Sequence, residues 1–255
     1  MITVYKSLII RDVKLIYSKI FEDVIDNSII VVLHYFMYAQ LMPLMGMSFN
    51  FVLPIFCGTL ISVMMNISYD RALRDTIDLE FDKFFYYIAT LPTTVNWLIL
   101  RIITSNFITL GLTTSLMIVL GKILFSSSLD LSNVNFFEFL LSYLLVILYF
   151  STFMVVLTFG VSYQWFRDNI WTRYLNPLAF LGCIYFPLLK AFEISKPIAY
   201  ACLLSPVTYA VESFRMTILN TPSFLPLYIC NLVLFGHIVL NIFLIRYFFV
   251  RRIWS

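Results

Sequence analysis

The sequence predicts an all-α membrane protein. It has six transmembrane helices, an N-terminal interfacial amphipathic helix, and a re-entrant helix pair between spans five and six. Three observations carry this. The chain is 61% hydrophobic and 12% charged, where a soluble domain carries about 25% charge, and its mean hydropathy is +0.92. Apolar blocks recur at Asn27–Met45, Phe49–Tyr69, Thr93–Leu120, Phe137–Tyr163, Leu175–Leu189 and Phe224–Val250. Crossing a hydrocarbon core of about 30 Å takes roughly 20 such residues. The basic residues sit almost entirely on alternate connections.

That alternation gives the topology. Lys6, Arg11, Lys14 and Lys19 precede the first block; Arg71, Arg74 and Lys83 follow the second; Arg167 and Arg173 follow the fourth; Arg246, Arg251 and Arg252 end the chain. The other connections hold only Lys122, Lys190, Lys196 and Arg215. The positive-inside rule then places both termini in the cytoplasm, which an even number of spans also requires. A β-barrel would show segments of about ten alternating residues, and the sequence has none. Net charge is +3; it reflects the cytoplasmic bias and does not indicate nucleic acid.

Each element follows from its pattern. Ile2, Tyr5, Ile9, Val13, Ile16 and Ile20 share one helical face, opposite Ser7, Arg11, Lys14 and Ser18. That is an amphipathic helix lying in the interface, with Arg11 and Lys14 toward anionic headgroups. Phe21–Asp26 is expected to turn the chain into the first span. No short basic start followed by an apolar core and a cleavage site is present, so no cleavable signal peptide is expected. Gly46-Met47-Ser48 makes a tight hairpin between spans one and two, flanked by Pro43 and Pro54.

The connection Asp70–Pro92 carries Arg71, Arg74, Asp75, Asp78, Glu80, Asp82 and Lys83, then Phe84, Phe85, Tyr86 and Tyr87. It reads as a short helix with one wet face and one docking face. Ser126-Ser127-Ser128 and Asn133 mark an external loop, and Gln164–Tyr174 a cytoplasmic connection with Trp165, Trp171 and Tyr174 as interface anchors. Pro177, Pro187, Pro197, Pro206 and Pro222 interrupt the stretch that follows. A clean span cannot contain that pattern. A short fifth span followed by two short helices over Pro187–Thr221, re-entering from the outer face, accommodates it. Irregular backbone at membrane depth survives only where protein or a water-filled cavity supports it.

Motifs for bond chemistry are missing. There is no phosphate loop and no His-x-x-x-His pair, since His34 and His237 lie in different spans. Cys57, Cys183, Cys202 and Cys230 lack metal-ligand spacing and read as buried small hydrophobes. Gly160-Val161-Ser162 with His237 is too weak a signal for an intramembrane serine protease. Arg101, two turns into the third span, is expected to snorkel to the cytoplasmic surface.

Several stretches together resemble type-2 ABC exporter permeases. They are Arg11-Asp12-Val13-Lys14 near the start, Leu175-Asn176-Pro177, Gly182 and Phe186-Pro187, then Leu204-Ser205-Pro206-Val207-Thr208-Tyr209 with Glu212 and Arg215. The resemblance covers essentially the whole chain. It departs at Glu80–Phe85, where family members carry a Gly-Thr and this chain has no Gly.

The resemblance implies a single permease domain over 1–255, divided into an interfacial helix (1–26), spans one to five (27–185), re-entrant outer helices (186–223) and span six with a cytoplasmic tail (224–255). It implies a bacterial inner-membrane subunit that works beside a second permease copy and above a separate ABC ATPase. The chain itself would bind no cofactor and perform no bond chemistry; ATP and Mg would be handled by the ATPase partner. Arg71, Arg74, Asp78, Glu80, Phe84 and Phe85 would form the coupling loop, and Pro187, Pro206, Tyr209, Glu212 and Arg215 the re-entrant outer motif. Expected cargo is a drug, a lipid or a lipid-linked polysaccharide. A membrane-embedded enzyme or a membrane scaffold is the alternative.

The topology has a direct check. A reporter active only outside the cytoplasm, fused after Ser255, is expected to be silent; strong activity there overturns the assignment.

Overall fold

The computed structural model describes residues 2–46, 52–90, 94–124, 134–219 and 223–254, and among these every regular element is helical. Helix α1 (Ile2–Tyr35) runs on through a π-helical turn, Phe36–Leu41, to Met42–Leu44. Helix α2 (Val52–Ile77) likewise continues through a π-helical turn, Asp78–Asp82, and the short α3 (Phe84–Ala89) follows. Helices α4 (Val95–Leu124) and α5 (Phe136–Gly160) come next. Helix α6 covers residues 163–181 as Tyr163–Trp165, a π-helical Phe166–Leu175 and Asn176–Leu181. Three short helices, α7 (Leu188–Ile194), α8 (Lys196–Leu203) and α9 (Pro206–Leu219), lead to the long α10 (Leu227–Trp254).

Among the described residues, four helices are long and apolar enough to cross a membrane: Leu53–Asp82, Val95–Leu124, Phe136–Gly160 and Leu227–Arg252. The chain is built as a multi-pass membrane protein. α2 is the central helix, with 67% of its most apolar stretch buried against 28% for α10. Leu60, Ile61 and Met64 of α2 meet Leu110 of α4, Phe150 of α5, Phe214 of α9 and Leu234 of α10 in one core. Core hydroxyls bond to their own helix: Thr59 to the Ile55 carbonyl, Ser68 to Met64, Thr76 to Ala72 and Ser151 to Ile147. This satisfies them without water, as apolar surroundings demand.

Side-chain pairs fix the directions. Tyr5 stacks near Trp97, Asp12 meets Arg101, and Ser28 lies against Met117, so α1 and α4 run parallel. Ser142 meets Asn231 and Thr152 meets Asn241, so α5 and α10 are also parallel. Arg71 reaches Asn106 while Phe56 lies over Gly121, so α2 is antiparallel to α4. One end of the molecule therefore gathers the start of α1, the end of α2, α3 and the end of α10. The other end holds the start of α2 and α7–α9.

Several expectations need correction. There is no turn at Phe21–Asp26; α1 is unbroken from Ile2 to Tyr35. No Gly or Pro lies in that stretch to stop helix propagation, so at 1.5 Å per residue it is about 50 Å long. Nor is α1 among the four long apolar helices. The charged half of the Asp70–Pro92 connection is not a separate short helix but the end of α2. The turn there is made by Lys83 in the left-handed region, φ 55 and ψ 22, where no Gly is available. Leu91 and Pro92 lie outside the described residues.

The fifth block is also displaced. Helix α6 begins at Tyr163, takes in the whole Gln164–Tyr174 segment read as a cytoplasmic connection, and ends at Leu181. Its π-helical stretch precedes Pro177, whose ring and missing N–H disturb the ordinary bond pattern one turn back. The Pro187–Thr221 region holds three short helices rather than two. Pro187 sits just before α7, Pro197 in the first turn of α8 and Pro206 at the start of α9. At helix starts proline lacks only an N–H that had no partner anyway. Met47, Ser48 and the loop residues Phe125–Asn133 lie outside the described residues.

Helix α2 and the bend after α6 approach to backbone contact. A Cβ on Gly58 would stand 1.9 Å from the Ile184 carbonyl oxygen, whereas one on Gly236 would meet nothing within 4 Å. Gly58→Ala is expected to cost about 1–3 kcal/mol of stability, while Gly236→Ala is neutral or mildly stabilising. Thermal melts in detergent distinguish them; equal melting points would refute the close packing.

Candidate functional site

At the charge-rich end, α1, α2 and α4 enclose a cleft of about 390 Å³, lined among others by Asp12, Lys19, Arg71, Arg74, Asp75 and Arg101. Two arginines are fixed on its walls in different ways. Arg71 donates from Nε to Asn106 Oδ1 (2.7 Å), from Nη1 to Thr109 Oγ1 (2.6 Å) and from Nη2 to Ser105 Oγ (2.7 Å). Its acceptors are neutral and come from consecutive turns of α4. Arg101 grips Asp12 with two bonds, Nε to Oδ2 at 2.6 Å and Nη2 to Oδ1 at 2.9 Å, and Arg11 donates to the same carboxylate at 2.8 Å. Asp12 is buried, so this is a load on packing as well as on charge.

The residues expected to couple to a partner are divided by the structure. Arg74 is exposed and Asp78 half-buried on the cleft wall. Arg71 is committed inside, as described. Glu80 accepts from the Tyr163 backbone N–H at 2.9 Å and pairs with Arg252, tying α2, α6 and α10 together. Phe85 is buried against Phe159, ring centroids 5.7 Å apart; it anchors α3 and offers no docking face. The Phe84 side chain lies outside the described residues. Phe81, Tyr86 and Tyr87 are the exposed aromatics. Of the expected interfacial pair, Lys14 is exposed and Arg11 rests on Asp12.

Arg101 does not snorkel free; it is bound to Asp12. The signal was present in the sequence. Asp12 lies one turn from Leu8 and one from Ile16, on the face that packs against α4, where a lone carboxylate requires a cation. The consecutive Ser105 and Asn106 in an otherwise apolar block likewise marked the seat of a buried donor.

At the opposite end, Glu212 and Arg215 form a buried pair, Nη1 to Oε1 at 2.7 Å with side chains 3% exposed. Arg215 also donates to the carbonyls of Pro54 (3.0 Å), Phe186 (3.0 Å), Cys183 (2.7 Å) and Ile184 (3.2 Å). Glu212 Oε1 accepts the Leu188 N–H at 3.1 Å, and Oε2 accepts from Ser223 at 2.5 Å. The break after α6 explains the arrangement. A helix end leaves carbonyls without intrahelical donors, and Pro187 prevents the chain from resuming the helix there. Arginine's fork of N–H groups supplies the donors. Tyr209 closes the next turn, its hydroxyl donating to the Leu203 carbonyl at 2.9 Å, and Thr208 reaches the Leu181 and Cys202 carbonyls at 3.0 and 2.6 Å. Pro187 and Pro206 set the starts of α7 and α9.

Comparison of the chain with family models, with curated proteins and with solved structures finds no match.

The buried pair makes a sharp test. Arg215→Met strands the Glu212 carboxylate and is expected to cost about 3–5 kcal/mol. Adding Glu212→Gln is expected to recover part of that loss. A double-mutant cycle on thermal stability reads the coupling; strict additivity refutes it.

Proposed function

We propose that this chain is the transmembrane permease subunit of an ABC exporter, forming the substrate pathway and coupling it to ATP hydrolysis in a separate ATPase subunit. The observation that carries the reading is α3. It is a short helix at the charge-rich end, anchored on one side and aromatic on the other. Phe85 and Ile88 pack with Ile99 and Ile102 of α4, Val155 and Phe159 of α5, and Ile245 and Phe249 of α10. Phe81 and Tyr87 stand 63% and 64% exposed beside them. A partner pressing on that aromatic ridge pushes three long helices at once.

The residue patterns that resemble type-2 exporter permeases support the same reading. So does the positive-inside bias, which puts α3 in the cytoplasm, where ATP is. The finer architecture belongs to this proposal. α1 and α6 complete six crossings, and α7–α9 dip in from the outer face. Two permease copies form the pathway in a bacterial inner membrane, with two ATPases beneath. Closure of the ATPases on ATP and Mg drives α3 against its anchors and shifts the pathway toward the outside. The cargo class is a drug, a lipid or a lipid-linked polysaccharide. Arg74 and Asp78 remain in reach of the partner, while Arg71 and Phe85 act by holding α2 and α3 in place.

The experiment coexpresses the chain with a candidate phosphate-loop ATPase, sought first in the neighbouring reading frames. Combined Phe81→Ala, Tyr86→Ala and Tyr87→Ala is expected to abolish transport while leaving membrane insertion intact and basal ATP hydrolysis uncoupled. Phe85→Ala instead lowers thermal stability, by about 3–5 kcal/mol. Unchanged transport in the triple variant sinks the coupling role of α3.

A further inference from the structure

We infer that the cleft between α1, α2 and α4 binds a membrane phospholipid whose headgroup carries both a phosphodiester and a free ammonium, as in a phosphatidylethanolamine. The cleft's volume of about 390 Å³ falls within the roughly 300–1,000 Å³ of small-ligand sites. Its charged lining divides into a fixed set and a free set. Asp12, Arg101 and Arg71 are held by short direct bonds. Lys19, Asp23, Arg74 and Asp75 also line the cleft, and among the described residues their side chains make no hydrogen bond or ion pair. Lys19 and Arg74 are exposed, while Asp23 and Asp75 are half-buried.

Free groups of both signs select the ligand by charge. Lys19 and Arg74 suit the phosphate of any phospholipid, since ionised donors bond phosphate oxygens strongly. Asp23 and Asp75 sort the rest of the head. They repel a head that carries negative charge alone. They accept hydrogen bonds from a primary ammonium, which has three N–H donors. A quaternary choline has none to give. The fixed set keeps the cleft open in shape, and the free set supplies the contacts to what enters it.

The apolar half of the ligand has a seat as well. Leu15 lines the cleft and is exposed. After Asp26, α1 and its continuation to Leu44 contain no Asp, Glu, Lys or Arg. Ile29, Leu33 and Phe36 are exposed in that stretch and recur at helical spacing, on the side of α1 where Leu15 stands. Ten residues of helix cover about 15 Å, the depth of one leaflet of a hydrocarbon core about 30 Å thick. A headgroup seated in the cleft therefore leaves its acyl chains along this strip, within one leaflet. The inference rests on the multi-pass membrane class of the chain and not on the transport reading.

The test uses the full chain purified in detergent and titrated with lipids of matched acyl chains, read by native mass spectrometry. Dioleoyl phosphatidylethanolamine is expected to bind about tenfold more tightly than the corresponding phosphatidylglycerol or phosphatidylcholine. Combined Lys19→Gln and Arg74→Gln is expected to weaken all three lipids by about tenfold. Combined Asp23→Asn and Asp75→Asn is expected to erase the preference, so that the three bind alike. Melting points without lipid check folding; where Asp75→Asn lowers them, Asp23→Asn alone carries the comparison and is expected to reduce the preference. Soluble phosphoethanolamine, which lacks acyl chains, is expected to compete only weakly. Equal affinity of the wild-type chain for the three lipids overturns the headgroup assignment, as does a preference that survives loss of the carboxylates. Unchanged binding in the Lys19 and Arg74 variant overturns the site. Competition by phosphoethanolamine at the concentration of the lipid itself makes the ligand a soluble solute and overturns the lipid.

Discussion

Every backbone carbonyl in an apolar environment must find a donor, and the end of this chain opposite the basic end is arranged around that requirement. Helix α6 stops at Leu181 and the next helix starts at Leu188. Between them the backbone bends, and its carbonyls point inward with no helix to bond them. Water would meet that demand in a soluble protein. Here Arg215 does, joining Cys183, Ile184 and Phe186 to Pro54 at the head of α2. Glu212 then becomes necessary, because a guanidinium buried without a counter-charge is more costly than the carbonyls it serves. Glu212 in turn holds the first N–H of α7 and the Ser223 hydroxyl. The short helices, their prolines and the ion pair are consequences of a single break.

The two ends of the molecule treat buried charge differently. At the break the pair is closed and almost inaccessible. At the basic end Arg71 has only neutral acceptors on α4, and Asp12 is shared between Arg11 and Arg101 beside an open cleft. A cation held by hydroxyls and an amide has its counter-charge not in a direct ion pair but in Asp75, one turn on along the same cleft wall. Such a wall is stable only where the cleft admits water, which screens the charge. Rigidity is therefore concentrated at the end that carries α7–α9, and solvation at the end that carries α3.

Much of this was legible from composition and periodicity. The long apolar blocks became helices α2, α4, α5 and α10, because apolar length alone decides such elements. The proline punctuation marked α7, α8 and α9, though their number needed the extended backbone at Ser195 that separates α7 from α8. The Glu212–Arg215 spacing pointed to a pair, while the carbonyls Arg215 serves come from distant Pro54 and the 183–186 bend, which no local pattern reveals. The Phe21–Asp26 turn was misread because charge was taken as a break, yet charged residues continue a helix when no Gly or Pro intervenes. Phe85 was misassigned to a surface because aromatic runs do not declare which ring faces inward; the left-handed Lys83 sets that rotation.

Helix α2 is the element that relates the two ends. Its first turn supplies the Pro54 carbonyl to Arg215, and its last turns supply Arg71 to α4 and Glu80 to Arg252. Pro54 and Arg71 are separated by about 25 Å of continuous helix at 1.5 Å per residue. With its core face fully packed, α2 has little freedom to bend, and packed cores are bistable rather than continuously deformable. On the proposed function, a force entering at α3 reaches the cap of α7–α9 by tilting α2 as a rod. The interactions at either end of that rod differ in kind: a latched ion pair above, and solvated charge below. The lower contacts can rearrange through water, while the upper ones exchange partners only if the whole carbonyl set moves together. On the proposed function, that asymmetry makes the outer cap the threshold for opening, with the cytoplasmic cleft as the compliant side.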